Sequence, residues 1–158
     1  MSNNASSAGC GQGMNPELQR RHQHDQSVFH RLLERHDAIQ RTVTHIDGGL
    51  RSVTTSRDPE VVRLLHDHVP AMHRRLQEGF RLRRWDPLYV AIFDQRHRVS
   101  MDIELRADGV VVEETSDDAE VVELIRAHGR AVDGFVARGQ AAAVQPSPMP
   151  GETTEISS

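Results

Sequence analysis

Two histidines, His68 and His128, have the type and spacing that most directly suggest chemistry in this sequence. They lie 60 positions apart, and each occupies the middle of an apolar helical stripe. Imidazole is the commonest metal-ligand side chain in proteins. Two imidazoles that face one another can bind a transition metal such as copper, iron or zinc, or can serve as both axial ligands of a non-covalent b-type haem. The two stripes consist of Val61, Leu65, Met72 and Leu76, and of Val121, Ile125, Val132 and Val136.

Other side chains near this pair extend the predicted site. Met72 lies one helical turn after His68 and offers a soft thioether ligand. Haem propionates need cations, and we expect Arg74, Arg81 and Arg84 to supply them. An equally consistent interpretation is that both histidines are core side chains whose ring nitrogens are satisfied by hydrogen bonds.

An alternative function starts from the arginine-rich linker at residues 80–88. Arg81, Arg83 and Arg84 precede Trp85 there, so the linker can dock an acidic protein partner. In this hypothesis the protein is a non-enzymatic interaction module that forms a homodimer through its sheet.

The histidines belong to an internal duplication. Residues 29–79 align without a gap on residues 89–139, with eleven identities. The identical positions include Gly49/Gly109, Asp58/Asp118, His68/His128 and Gly79/Gly139. The sequence therefore predicts two copies of one unit, related by a pseudo-two-fold axis.

Each copy predicts an αββα order. Short helices are expected at 28–37 and 87–96, and strands at 39–46, 50–55, 99–106 and 110–115. Apolar and polar residues alternate in 99–106, which is typical of a strand with one solvent-exposed face. The glycines after Asp47 and at Asp108-Gly109 are expected to provide a positive φ for tight hairpins. Long helices follow at 59–78 and 119–138. The predicted fold class is α+β, with an antiparallel sheet covered by the long helices.

Composition limits what the chain can be. Its 158 residues are 37% hydrophobic, with no run long enough for a membrane span, and a net charge of −4 disfavours nucleic acid as a partner. All 19 basic residues are arginine, which excludes a Schiff-base lysine, and the single cysteine excludes an internal disulfide. No nucleophile with a base and an orienting partner is recognisable, so we expect no enzyme of that type.

Both ends are predicted to lie outside the folded domain. Residues 1–25 and 140–158 are rich in small polar residues, histidine and proline and are expected to be disordered, which leaves one duplicated domain at 26–139. We expect a cytoplasmic protein from the sequence as written. Because Ser7-Ala8-Gly9-Cys10 resembles the end of a lipoprotein signal, removal of a leader ending at Cys10 would instead indicate a periplasmic or lipid-anchored protein.

Several phrases of the chain resemble a family of uncharacterised bacterial proteins. They are Phe29-His30-x-Leu32-Leu33, Arg41-x-Val43, Thr55-Ser56-x-Asp58-Pro59-Glu60-Val61, His68-x-x-x-Met72, Trp85-Asp86-Pro87-Leu88 and Thr115-Ser116-Asp117-Asp118. The resemblance covers residues 22–139. It implies a duplicated αββα core behind a Gly/Met/His-rich segment, and soft-metal or haem chemistry, with Cys10, Met14, His22 and His24 as a reduced form of that segment.

Overall fold

The computed structural model describes residues 15–152, which form an α+β structure with four strands and five helices. The predicted fold class is confirmed at this level. In chain order the elements are α1 (Pro16–Glu34), β1 (Gln40–Ile46), β2 (Gly49–Thr55), α2 (Pro59–Glu78), α3 (Pro87–Asp94), β3 (Ser100–Arg106), β4 (Gly109–Thr115), α4 (Ala119–Arg138) and α5 (Gln140–Ala143). Short 3₁₀ turns at His36–Ala38 and Arg96–Arg98 lead into β1 and β3.

All four strands form one antiparallel sheet in the order β1-β2-β4-β3. The two hairpins join through their second strands, where Gly49 lies opposite Thr115 and Thr55 lies opposite Gly109. Alternating side chains of β2 are buried under the helices, as a period of two requires, whereas residues 109–112 of β4 are all buried. The opposite face carries exposed polar side chains, among them Thr42, Thr44, Asp102 and Glu104.

Each long helix packs on the hairpin that does not precede it. Leu64 and Leu65 of α2 join one apolar cluster with Val110 and Val112 of β4. In the same way, α4 packs on β1 and β2, where Leu50 contacts its apolar face. Neither αββα segment can therefore bury its own helix alone, and both contribute to a single core.

The glycines at the two hairpins have different physical roles from those expected. Gly48 has φ +76°, which a tight turn requires, but neither Gly49 nor Gly109 has a positive φ. A Cβ atom at Gly49 would overlap the carbonyl group of Glu114, and one at Gly109 would overlap that of Thr54. These two glycines are needed because the central strands approach each other closely, so the positive-φ explanation was wrong for Gly109.

The N-terminal boundary was predicted wrongly. Helix α1 begins at Pro16, whereas the sequence was expected to be disordered up to residue 25. Asn15 caps the helix by accepting a hydrogen bond from the backbone N–H of Leu18 at 2.8 Å, and Pro16 occupies the first turn, where a missing N–H costs nothing. Residues 1–14, including Cys10 and Met14, lie outside the described part of the chain.

The C-terminal boundary was also wrong for part of the tail. Part of this segment packs against the folded domain. Ala142 and Ala143 of α5 contact Leu33 and Phe135. Ser147 is buried and bonded to Asp86. Within residues 15–152, no helix combines the length and the apolar composition that crossing a membrane requires.

Candidate metal centre

His68 lies on α2 and is partly buried. Its ring stacks on Phe29 of α1, with centroids 5.7 Å apart and planes inclined by 18°. Its Nδ1 is buried and has no hydrogen-bond partner among the described residues. Burial lowers the pKa of His68 from 6.5 to about 4 against the opposing charges of Asp25 and Asp67, and His128 lowers it further. The imidazole is therefore neutral at neutral pH.

His128 lies in a more open position on α4. Tyr89 contacts it edge to face at a centroid distance of 5.5 Å, and its Nδ1 lies 3.6 Å from Oε1 of Glu114. About 29% of the His128 side chain is exposed. Positions 60 apart thus carry a histidine against an aromatic ring in both segments, but only His128 faces a carboxylate.

The other predicted ligands have surroundings of their own, and their role as ligands stays a prediction. Met72 is half-buried on α2. Arg81 pairs with Asp94 at 2.6 Å, Arg84 is exposed, and Arg74 lines a cavity between α1 and α2. The two principal cavities of the described residues are lined by neither His68 nor His128.

The arginine-rich linker is partly committed to the fold. Arg83 donates hydrogen bonds to the buried carboxylate of Asp86 and to the carbonyl oxygens of Ala143 and Gln145. Its guanidinium also lies 4.4 Å from the centroid of Trp85. Arg83 therefore fixes the C-terminal segment, while Arg84 and the exposed Trp85 remain at the surface. A docking role for this linker stays a prediction.

A ladder of charged pairs joins α1 to α2. The pairs that run along the antiparallel helices are Arg21 with Glu78, Asp25 with Arg75, His24 with Asp67, Arg31 with Glu60 and Arg35 with Asp58. Most of these pairs are exposed and stabilise the fold only weakly. Together with the apolar contacts of Val28 and Leu32, they explain why α1 extends through residues 16–25.

Three potential metal ligands meet within this ladder. Nε2 of His24 lies 2.8 Å from Oδ2 of Asp67, and one donor atom from each of His24, Asp25 and Asp67 lies within 4.8 Å of the others. A cavity of about 360 Å³ opens on all three side chains. Ligands of a tetrahedral metal lie roughly 3.4 Å apart, since each bond is about 2.0–2.2 Å long. The present separations, up to 4.8 Å, are therefore close to those that a shared metal ion requires.

The buried member of the set is fixed from behind by an ion pair. Asp25 is 7% exposed, and its Oδ2 accepts a hydrogen bond at 2.7 Å from Nε of Arg75, which is fully buried. The Arg75 guanidinium lies 4.3 Å from the centroid of Phe80. A carboxylate has two oxygens, so this contact leaves Asp25 with acceptor capacity on the cavity side.

The same junction holds further polar atoms without partners. Nδ1 of His22 and both Nη atoms of Arg75 are buried without a hydrogen-bond partner in residues 15–152. Burial lowers the pKa of His22, and the Arg75 charge lowers it further. Buried polar atoms are normally satisfied, so their concentration here marks the junction as the least satisfied polar region of the described interior.

Sequence reasoning named His24 only as part of a soft-metal segment and assigned residues up to 25 to a tail, so it did not combine His24 with Asp25 and Asp67. His24 and Asp25 were adjacent in the printed chain, but their partner Asp67 is 42 positions further on. A helix signal was available in Asn15-Pro16-Glu17, which combines a capping residue, proline in the first turn and an early acidic residue. Following it would have placed His24 and Asp25 on a helix, although not opposite Asp67.

Comparison of the chain with protein-family models, with curated proteins and with solved structures gave no match.

Proposed function

We propose that this protein binds a divalent transition-metal ion between α1 and α2, through His24, Asp25 and Asp67. The observation that carries the proposal is the convergence of one imidazole and two carboxylates on one cavity. The site sits on two helices tied together by ion pairs, which hold the ligands at a defined spacing. Arg75 orients Asp25 in the way that a supporting hydrogen bond usually orients a metal-ligating carboxylate.

The donor set favours a borderline metal. One nitrogen and two carboxylate oxygens suit Zn²⁺, Co²⁺ or Mn²⁺, whereas soft Cu⁺ prefers sulfur and Mg²⁺ is usually held by oxygen alone. His24 and Asp67 are 59% and 39% exposed. An ion held by three protein ligands in so open a position keeps coordination sites for water or another ligand.

Metal and proton compete for the same atoms. In the described state Nε2 of His24 and Oδ2 of Asp67 share a hydrogen bond. A bound ion would take the place of that proton, which moves to Nδ1 of a neutral ring or is released from a protonated one, so binding weakens as the pH falls.

Titration with Zn²⁺ by calorimetry, and with Co²⁺ by visible absorption, tests the proposal on the full chain. We expect one site per chain, lost or weakened at least about tenfold in His24→Ala and in Asp67→Asn, because each removes one of three ligands. Matched controls are His97→Ala and Asp117→Asn, which change exposed residues outside the cluster. These should bind as the unmodified protein does.

Two results would contradict the proposal. One is the absence of Zn²⁺ and Co²⁺ binding at neutral pH. The other is binding that His24→Ala and Asp67→Asn leave unchanged, since the ions would then sit at other histidines of the chain.

A ligand between His68 and His128 is a second candidate. It is supported by the buried, neutral imidazole of His68, whose Nδ1 has no partner in the described chain, and by its electrostatic coupling to His128. A haem there would have to displace packed side chains such as Phe29, so a small ion fits better than a macrocycle. Addition of haemin or Cu²⁺ followed by absorption spectroscopy tests this candidate. A spectrum identical to that of His68→Gln would reject it.

The proposed duplication also stays part of this hypothesis. Its support is that the 3₁₀ turns, strands and long helices of the two segments begin and end at positions that differ by 60. The pairing of β2 with β4 relates Gly49 and Thr115 to Gly109 and Thr55 in the same way. In this proposal the metal centre arose in one copy only.

A further inference from the structure

We propose that the metal-loaded cavity between α1 and α2 also takes a phosphate group, held jointly by the metal and by Arg20 and Arg74. This inference rests on the metal centre proposed above. It assigns a ligand class to a cavity of about 360 Å³, which is far larger than one ion needs.

The cavity becomes positively charged when a divalent metal binds. The lining residues include three arginines and three carboxylates, so their formal charges cancel. A divalent ion on His24, Asp25 and Asp67 makes the cavity doubly positive. In a concavity partly shielded from water, that charge attracts an anion more strongly than it would on a flat surface.

Two of the arginine side chains that line the cavity are free to bind a phosphate group. Arg20 and Arg74 are exposed, and neither side chain forms an ion pair or hydrogen bond with another residue of the described chain, whereas Arg21 pairs with Glu78 at 3.0 Å. Arg20 precedes His24 by one helical turn and Arg74 follows Asp67 by about two. Because α1 and α2 are antiparallel, both arginines lie on the same side of the ligand set.

A phosphate group matches this arrangement better than a carboxylate. Its tetrahedral oxygens can bond to the metal and to two guanidinium groups at once, whereas the two oxygens of a carboxylate cannot serve three partners separately. The metal has positions open to accept one of those oxygens. Free phosphate and a phosphate monoester share this chemistry.

The test is a linkage measurement on the full chain. Zinc affinity is determined at constant ionic strength with chloride, inorganic phosphate, phenyl phosphate or acetate, and corrected for metal–anion association measured without protein. We expect either phosphate compound to tighten zinc binding about tenfold, and acetate to have no such effect. An effect of inorganic phosphate alone would identify the free ion as the ligand, and an effect of both would show that an ester is accommodated.

Variants then locate the phosphate. Arg74→Gln and Arg20→Gln should each retain zinc binding in chloride but lose most of the phosphate effect. Arg63→Gln, another exposed arginine of α2 without an ion pair to a described residue, is the matched control and should keep both. Zinc binding without any phosphate effect would overturn this inference but not the proposed metal centre. A phosphate effect that persists in both Arg20→Gln and Arg74→Gln would do the same. Absence of zinc binding would overturn both proposals.

Discussion

The surroundings of His68 and His128 differ although the two residues occupy corresponding positions of the two segments. His68 is stacked under Phe29 beside the charged junction of α1 and α2. His128 contacts Tyr89 and a carboxylate and remains partly exposed. The apolar framework is shared, so the difference comes from the helix that packs against each histidine: α1 has 19 residues and α3 has 8.

The protein holds an arginine in different ways at two junctions, the first between α1 and α2 and the second in the linker before α3. In the first, Asp25 and Arg75 form a buried ion pair, and only Nε of Arg75 is hydrogen-bonded within the described chain. Sixty positions on, Trp85 and Phe135 replace them, and both rings lie against the guanidinium of Arg83. Arg83 uses all three of its nitrogens. All three guanidinium nitrogens of Arg83 are therefore used in holding the second junction together. In the first junction both Nη atoms of Arg75 have no hydrogen-bond partner in the described chain.

The largest effect is expected at the buried ion pair. Arg75→Met leaves the carboxylate of Asp25 buried without its partner, which should lower the free energy of unfolding by about 4 kcal/mol. The double variant Asp25→Leu, Arg75→Met should recover most of that loss, because a packed apolar pair replaces a costly charge. Urea unfolding of the unmodified protein, of Asp25→Leu, of Arg75→Met and of the double variant measures both values. Equal stabilities of the single and double variants would contradict the argument.

A comparable but smaller loss is expected in the second junction. Asp86→Ala removes the N-cap of α3 together with the acceptor of Arg83 and Ser147. We expect a loss of about 3 kcal/mol, accompanied by faster hydrogen exchange in residues 140–152. The control Asp94→Ala, at an exposed pair, should leave the exchange of that segment unchanged. Protection retained in Asp86→Ala would show that Asp86 does not fix the segment.

Lowering the pH should destabilise the protein through His68. The unfolded chain protonates His68 near pH 6.5, but the folded protein does so only near pH 4, because of burial. Stability attributable to His68 is therefore complete above about pH 7 and lost as the pH falls, by about 2 kcal/mol at pH 5. His68→Gln should lack this loss, while His128→Gln should retain it. Urea unfolding at about pH 7 and at about pH 5 measures this loss. An equal loss in the unmodified protein and in His68→Gln would refute the assignment to His68.

The smallest effect is expected at an exposed pair of the ladder. Arg31 pairs with Glu60, and both side chains are at least 40% exposed. Arg31→Gln should cost about 0.5 kcal/mol, and less in high salt, since water screens the pair. A loss as large as that of Arg75→Met would show that α1 depends on its exposed pairs rather than on the buried one.

Local signals in the sequence were sufficient for much of the fold. The long helices at 59–78 and 119–138 begin and end as predicted, because Asp58, Asp118 and Gly79 supply caps that act within a few residues. The strands agree to within one residue because the turn residues of the hairpins, and the alternation in 99–106, are also local signals. The ends of the domain were missed, since residues 16–25 and 140–152 are ordered by distant partners.

The candidate centre was much less predictable. Position in an apolar stripe drew attention to His68 and His128, whereas the cavity belongs to His24 and Asp25, two residues of a polar segment. Polarity by itself does not distinguish a solvated tail from a helix whose charges meet complementary charges elsewhere.

The sequence by itself determined the two long helices, the strands and the recurrence of identical residues at an interval of 60, because caps, turns and periodicity act over a few neighbouring residues. The tertiary structure alone decided that α2 lies on β3 and β4, that Arg75 is buried against Asp25, and that Asp67 faces His24. Such contacts depend on which surfaces become complementary once the chain has folded, and no local pattern encodes them. The proposed metal centre is a product of that second level.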